Sequence, residues 1–355
     1  MSKKELCIVH IGMPKTGSST LQDTFYEIIE DKRVSYGNLP EANQSGRFAG
    51  LFIDKPENYH YFSNRGWNRE QIENFNQKNR ELLIQGFLNS DSSIELISGE
   101  DLFHLQKNEI EKMKQFLSSY FHKIVIVAYV RPVKSFIEPA FQQLVKYHDF
   151  NTFDFSMIYH QYKNFKSYDD VFGIENVLLW KFEPANFPEG DIVLDFCQKL
   201  DLQPMRAKQK IVNESLSKEA VSILFVYHFH KRIKSDFGIF KVRVDYTLVE
   251  VLRPIGSSKL KFSGKLINKV LETYREDYEW IQQRMQDSLK ENIDVNGQEG
   301  INNEHELMEY ATLFINDLVN LVGVDNVDFE LVKNPQTVAK LVNLLAVKIY
   351  NEIPK

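Results

Sequence analysis

The sequence predicts an α/β fold, a central parallel sheet followed by a mainly helical C-terminal region. Three observations predict it. Short, nearly all-apolar runs alternate with helical patterns through the front half of the chain. A glycine-bearing turn joins the first of these runs to the first helix. Beyond Asp191 the apolar residues recur mainly at helical spacing.

Each element follows from its pattern. Leu6 to Ile11 is nearly all apolar, as a strand buried on both faces should be. After the Gly/Pro turn, Leu21, Phe25 and Ile28 repeat at helical spacing. Residues 31 to 92 are polar, with Pro40, Pro56 and the aromatics Tyr59, Tyr61, Phe62 and Trp67; Ile72, Phe75, Leu82, Leu83 and Phe87 predict a helix late in that stretch. Ser93 to Ser98 reads as a second strand and Ile110 to Phe121 as an amphipathic helix. Ile124 to Val130 is the clearest central strand, and Asn176 to Phe182 a fourth. Helices are then expected at Asp191–Leu200, Leu216–Ile233 and Gly264–Ser288. Lys290 to Asn303 reads as a linker or loop, before helical patterns at Glu304–Leu321 and Glu330–Tyr350.

Composition narrows the function classes. The 355 residues are 43% apolar and 13% aromatic, enough for a sizeable core, so wholesale disorder is excluded. Two cysteines, Cys7 and Cys197, exclude a disulfide scaffold and a four-thiolate zinc site within one chain. The longest strongly apolar run is far too short to cross a bilayer. The opening Met-Ser-Lys-Lys-Glu enters a strand pattern without a signal peptide's apolar region. A soluble, cytoplasmic protein is the expectation. No basic heptad, zinc-finger spacing or ribonucleoprotein signature points to nucleic acid.

The net charge of −6 hides an asymmetry. Residues 199–275 carry 16 basic and 7 acidic side chains, and residues 276–355 carry 6 and 15. Such stretches are either solvated helix faces or, for the basic one, a surface turned to an anionic ligand.

The most informative segment is His10-Ile-Gly-Met-Pro-Lys-Thr-Gly-Ser-Ser-Thr20, between the first strand and the first helix. A glycine turn there lets backbone N–H groups approach a phosphate, and the helix N-terminus favours the negative charge. Ser18, Ser19 and Thr20 could add hydroxyl donors. Gly12 and Gly17 have the spacing of a Walker A loop, yet Ser18 stands where the Walker lysine would be. The loop's lysine is Lys15, inside the turn, where it suits a 5′-phosphate and the group leaving from it.

Pro14-Lys15-Thr16-Gly17-Ser18-Ser19-Thr20 resembles the 5′-phosphosulfate loop of sulfotransferases that use 3′-phosphoadenosine 5′-phosphosulfate (PAPS). The longer string from His10 to Gln22 is similar to that of bacterial sulfotransferase-like proteins. Weaker likeness runs through Ile97-Ser98-Gly99-Glu100, Tyr129-Val130-Arg131, Trp180-Lys181-Phe182-Glu183 and Asn213-Glu214-Ser215-Leu216-Ser217. The resemblance implies a P-loop-like three-layer fold, PAPS as co-substrate, and sulfuryl transfer to a hydroxyl or amine. It touches residues 5–285, so the expected domains are 1–289 (α/β, with 31–92 as an acceptor-side insertion), a 290–303 linker and a 304–355 helical extension.

Arg131 ends the strongest strand, where ligands of open α/β sheets gather, and it matches the family's arginine for the 3′-phosphate. The family's serine eight residues later is Pro139 here, which has neither hydroxyl nor N–H. Ser135 could substitute, and Pro132 follows Arg131 without the usual intervening residue.

Sulfuryl transfer needs in-line alignment and stabilised charge on the leaving phosphate oxygen. Lys15 suits that charge, and no metal is required. Glu100 is the first choice as general base and His104 the second; Glu100 could equally orient the phosphate loop or cap a helix. His10 and Glu183 read as structural, and His228 and His230 as core or surface histidines rather than ligands. The expected acceptor is a saccharide, free or lipid-linked, or another hydroxylated metabolite. The alternatives are a nucleotide-binding or interaction protein without transfer activity, which Pro139 favours, and a P-loop kinase or NTPase, which the displaced lysine disfavours.

Overall fold

The computed structural model describes residues 3–159, 161–207, 215–230, 233–286, 288–297, 299–323 and 332–354. Asn213 and Glu214 of the weaker likeness, and the parts of the expected helices at 231–232 and 330–331, lie outside the described residues. Contacts divide the chain into two units. The first comprises 1–132, 161–211 and 276–290, the second 133–160, 212–275 and 291–355.

The first unit is built on five parallel strands: β1 (Lys4–His10), β2 (Val34–Tyr36), β3 (Ile94–Ser98), β4 (Phe121–Val130) and β5 (Val177–Lys181). Their order is β2-β3-β1-β4-β5, so β1 is central and the winding reverses on either side of it. Ligand crevices of α/β folds open at such a reversal, beyond the carboxyl ends of the strands. Cys7, Ile8, Val9 and His10 are all buried, because helices cover both faces. On one face Ile8, Val125, Val127 and Tyr129 pack with Leu21 and Phe25 of α1 (Ser18–Glu27). Val193 and Phe196, from the helix Ile192–Lys199, complete that layer. On the other face the helices Lys107–Ser118 and Asn164–Phe172 pack against β4 and each other. Burying one such side chain contributes roughly 1.5–3 kcal/mol.

The edge strand β2 is absent from the sequence reading, which left residues 31–68 without an element. Three residues are too few to show a period. Long-range pairing makes this strand, with Val34, Ser35 and Tyr36 opposite Ile94, Glu95 and Leu96. A buried polar group supports it: Lys4 Nζ donates to Glu95 Oε2 at 3.2 Å, and Ser35 Oγ donates to the same oxygen at 2.7 Å. Two boundaries move as well. Phe121 belongs to β4 rather than to the preceding helix, and Ile28 falls beyond α1 with its side chain exposed. The expected helix 264–288 is two helices, Gly264–Thr273 and Arg275–Arg284, separated at Tyr274.

The second unit is helical. Its centre is α2 (Lys218–Phe229), apolar all round and therefore buried from Glu219 to His228. Phe141, Phe153, Phe155 and Phe262 pack mostly edge-on with one another, and Phe141 meets Phe225 of this helix at a tilt. Residues 304–355 lie in this unit, where the helix Pro335–Glu352 packs on α2. Among the described residues no helix is long and apolar enough to cross a membrane.

His10 closes β1, its Nδ1 2.7 Å from Ser98 Oγ, and burial pushes its pKa down to about 4. The unfolded chain therefore binds a proton between pH 6.5 and 4 that the folded one excludes, and stability falls as pH drops through that window. The shift is worth roughly 3 kcal/mol. Urea unfolding of His10→Gln at pH 7, 5.5 and 4.5 should show a shallower acid slope, by up to about one proton. An unchanged slope would remove His10 from the acid response.

Candidate functional site

The carboxyl ends of β3, β1 and β4 are neighbours in the sheet, and each delivers one element of the site. The loop after β1 spans residues 11–17. Ile11 N donates to Val127 O at 3.0 Å and ties the loop's start to β4. Thr16 Oγ1 donates to Met13 O at 2.5 Å and closes the turn. Gly12, Lys15 and Gly17 lie at φ 33°, 63° and 76°. Positive φ at these positions turns the backbone sharply, and turns of successive N–H groups are the setting of anion nests. Glycine is required twice. A Cβ on Gly12 would stand 2.7 Å from Ser18 Oγ, and one on Gly17 2.7 Å from Ile192 Cδ1. Lys15 holds the left-handed conformation with a side chain, a strain of roughly 1–3 kcal/mol.

Gly17 is the N-cap of α1, and no side chain caps that helix. Its first turn thus presents the N–H groups and partial positive charge of a helix N-terminus beside the loop. Ser18 is buried, Thr20 half-buried and Ser19 exposed.

Glu100 follows β3 and is half-buried. Burial and the neighbouring Asp101 push its pKa up, while Lys15 and a hydrogen bond with Ser18 pull it down. Lys15 responds in kind: burial lowers its pKa, Glu100 raises it and Arg131 lowers it. The loop lysine thus feels both a carboxylate and a second cation. Of the residues the sequence singled out, the structure brings Lys15, Thr16, Gly17, Ser18, Glu100 and Arg131 together.

Arg131 follows β4. Its Nη1 donates to the Lys15 carbonyl at 2.5 Å, and its guanidinium lies 5.1 Å from the Phe182 ring centroid. Its own backbone is held by Tyr162 Oη, which donates to Arg131 O at 2.7 Å, and by Met13 Sδ, which accepts Arg131 N–H at 3.4 Å. Neither tyrosine nor methionine was legible as a site residue. Phe182 lay in one of the weaker likeness strings, the only trace of its role. Pro139 sits inside the helix Val133–Tyr147, with Ser135 half-buried in its first turn.

The aromatic stretch reaches the same end of the sheet. Tyr59 Oη donates to Asp101 Oδ2 at 2.5 Å, and His60 Nε2 lies 3.4 Å from that oxygen. Ser45 Oγ accepts Asp101 N–H at 3.1 Å. Tyr61, Phe62, Trp67 and Phe75 pack on one another behind it. His104 lies in the same turn, Glu100–His104, and burial lowers its pKa. Glu183 accepts from Asn186 Nδ2 at 2.6 Å at a helical-turn start. His228 is buried beside Asp149 at 3.1 Å, whereas His230 is the C-cap of α2. Among the described residues no three His, Cys, Asp or Glu side chains form a metal-ligand group.

No family model matches the chain. An uncharacterized protein of Archaeoglobus fulgidus is 30% identical over 189 residues, 52% of this chain and 51% of that protein. The chain therefore spans about half the length of the curated relative it matches. The crystal structure of a sulfotransferase from Alicyclobacillus acidocaldarius is similar over 66% of this chain and 98% of that one, at 17% identity and a TM-score of 0.37.

Gly17→Ala should lower stability by about 1–2 kcal/mol, the strain of a side chain at left-handed φ. Adding Ile192→Val removes the clashing Cδ1 but leaves the backbone strain. Urea midpoints should therefore stay low in the double variant. Full recovery would show that the contact with Ile192, not φ, requires the glycine.

Proposed function

We propose that this protein is a PAPS-dependent sulfotransferase whose β1–α1 loop holds the donor's 5′-phosphosulfate. The observation that carries the reading is Lys15, held at positive φ in a curled loop before an uncapped helix N-terminus. The residues present fit the group. The loop and the first turn of α1 offer backbone N–H groups, Ser19 and Thr20 offer hydroxyls not spent inside the loop, and Lys15 and Arg131 supply positive charge. When bound, PAPS supplies an activated sulfuryl group and a phosphate leaving group.

Lys15 and the first turn of α1 would bind the 5′-phosphate and stabilise charge on its departing oxygen. Arg131 would fix the loop through the Lys15 carbonyl and serve the nucleotide's 3′-phosphate. Glu100 would take the acceptor's proton as the acceptor oxygen or nitrogen bonds to sulfur and the sulfur–oxygen bond to phosphate breaks. The 31–92 segment, which touches Asp101 through Tyr59 and His60, would form the acceptor side. A saccharide or another hydroxylated metabolite fits its mixture of aromatic and polar side chains. A cytoplasmic location follows from this reading of a free-thiol protein.

Pro139 favours a second reading, nucleotide binding without transfer, because it offers no hydroxyl to a 3′-phosphate. Calorimetric titration with adenosine 3′,5′-bisphosphate, ATP and GTP separates the cases. Tighter binding of the bisphosphate is expected; preference for ATP or GTP would overturn the reading. Binding without transfer to a panel of hydroxylated acceptors would leave the second reading.

Lys15→Ala should lower transfer by about 100-fold or more while the protein stays folded. Near-normal turnover would remove Lys15 from the mechanism. Arg131→Gln should weaken the bisphosphate more than adenosine 5′-phosphate, and equal losses would limit Arg131 to anchoring the loop.

Glu100→Gln should bind nucleotide normally and turn over slowly. A base works only when deprotonated, and the Glu100 pKa is raised. The acidic limb of the wild-type rate profile should therefore lie above the ordinary carboxylate value, and the variant should lack it. Unchanged turnover and profile would pass the role to His104.

A further inference from the structure

The basic stretch 199–275 takes no part in the chemistry proposed for the loop. Within the second unit the structure gathers three of its lysines. Lys218, Lys259 and Lys261, with Glu299 and Gly300, line an open depression of about 400 Å³. Backbone pairing puts them there. Ser217 forms an antiparallel bridge with Lys259, and Lys218 N donates to Ser258 O at 2.7 Å. Phe262 bridges Ile301 in parallel, and Ile301 N donates to Lys261 O at 2.9 Å. Between the bridges Leu260 and Phe262 are buried while Lys259 and Lys261 are exposed. This two-residue alternation puts both ammonium groups on one side. Gly300, at φ 103°, lets the chain pass Phe262 closely; a Cβ would stand 2.6 Å from its carbonyl carbon.

The lining side chains of this depression are mostly cationic. Glu219, next to Lys218, does not line the depression; its carboxylate accepts from Tyr310 Oη at 2.8 Å and Ser258 N at 3.2 Å. The Lys218 ammonium lies 3.9 Å from the Tyr310 ring centroid. Glu299 is the lining carboxylate, largely exposed and 3.3 Å from Lys261 Nζ, a pair that water screens. Among the residues that line the depression three carry ammonium groups and one a carboxylate, a surplus that favours multiply charged anions.

We propose that it binds a small ligand bearing two or more phosphate or sulfate groups. The site is independent of the loop in the first unit, and so is its test. Inorganic pyrophosphate is titrated calorimetrically into the full chain and four variants. Circular dichroism checks that each is folded. The expected result is a pyrophosphate site that Lys15→Ala retains and that Lys259→Gln/Lys261→Gln weakens at least about tenfold. The control pair Lys265→Gln/Lys269→Gln, exposed lysines of the same stretch, should stay within about twofold. Glu299→Gln should tighten binding by about twofold or more, since it removes the opposing charge.

Absence of any site surviving Lys15→Ala, equal loss in the control pair, or no tightening with Glu299→Gln would each overturn the proposal. Loss confined to Lys15→Ala would do so while leaving the loop reading intact. A retained pyrophosphate site in a protein that transfers no sulfuryl group would instead sink only the loop reading.

Discussion

The hydrogen bond from the Arg131 guanidinium to the Lys15 carbonyl is the constraint on which the candidate site depends. A lysine at positive φ is strained by roughly 1–3 kcal/mol. A charged hydrogen bond contributes about 1.5–3 kcal/mol, enough to hold that conformation. Arg131 can make the bond because β4 lies beside β1, so the residue after one strand meets the loop after the other. The Tyr162 hydroxyl and the Phe182 ring keep it there. Sheet order thus becomes backbone conformation in the loop, and loop conformation sets where the ammonium stands.

What was legible in the sequence was what depends on local pattern. Four of the five strands are centred on short apolar stretches, and Lys15, Thr16, Gly17 and Ser18 stand in one short string between a strand and a helix. Glu100 and Arg131 were legible as residues at strand ends, because both lie within two residues of the end of an expected strand. Distant pairing leaves no such trace. β2 is three residues long and exists because Ile94–Leu96 accepts it as a neighbour. Tyr162 is 31 residues from Arg131 and sits in no periodic element. The break at Tyr274 was hidden because the helical period continues across it.

The charge asymmetry of the C-terminal half has two outcomes in the structure. At Asp149 the positive charges are paired: its carboxylate takes Lys234 Nζ at 2.5 Å, Lys241 Nζ at 2.8 Å and buried His228 at 3.1 Å. The hydrogen bond with His228 and those with the two lysines hold that carboxyl far below its usual range. At Lys218, Lys259 and Lys261 they are gathered against one exposed carboxylate. Counting charges along the chain could not separate these cases. The difference lies in which side chains tertiary packing brings to each carboxylate.

Under the proposed chemistry, Glu100 and Lys15 cannot be tuned separately. Burial and Asp101 make the carboxylate more basic, and the Lys15 ammonium offsets part of that. An anionic phosphate beside Lys15 would share the ammonium's charge and weaken its hold on Glu100. The donor's negative charge would raise the Glu100 pKa further. Glu100 would then be most basic when the loop is filled, the state in which an acceptor's proton has to leave. In an empty loop the same ammonium restrains it. Three strand ends, brought side by side by one sheet order, would in this way couple proton removal to occupancy of the phosphate loop.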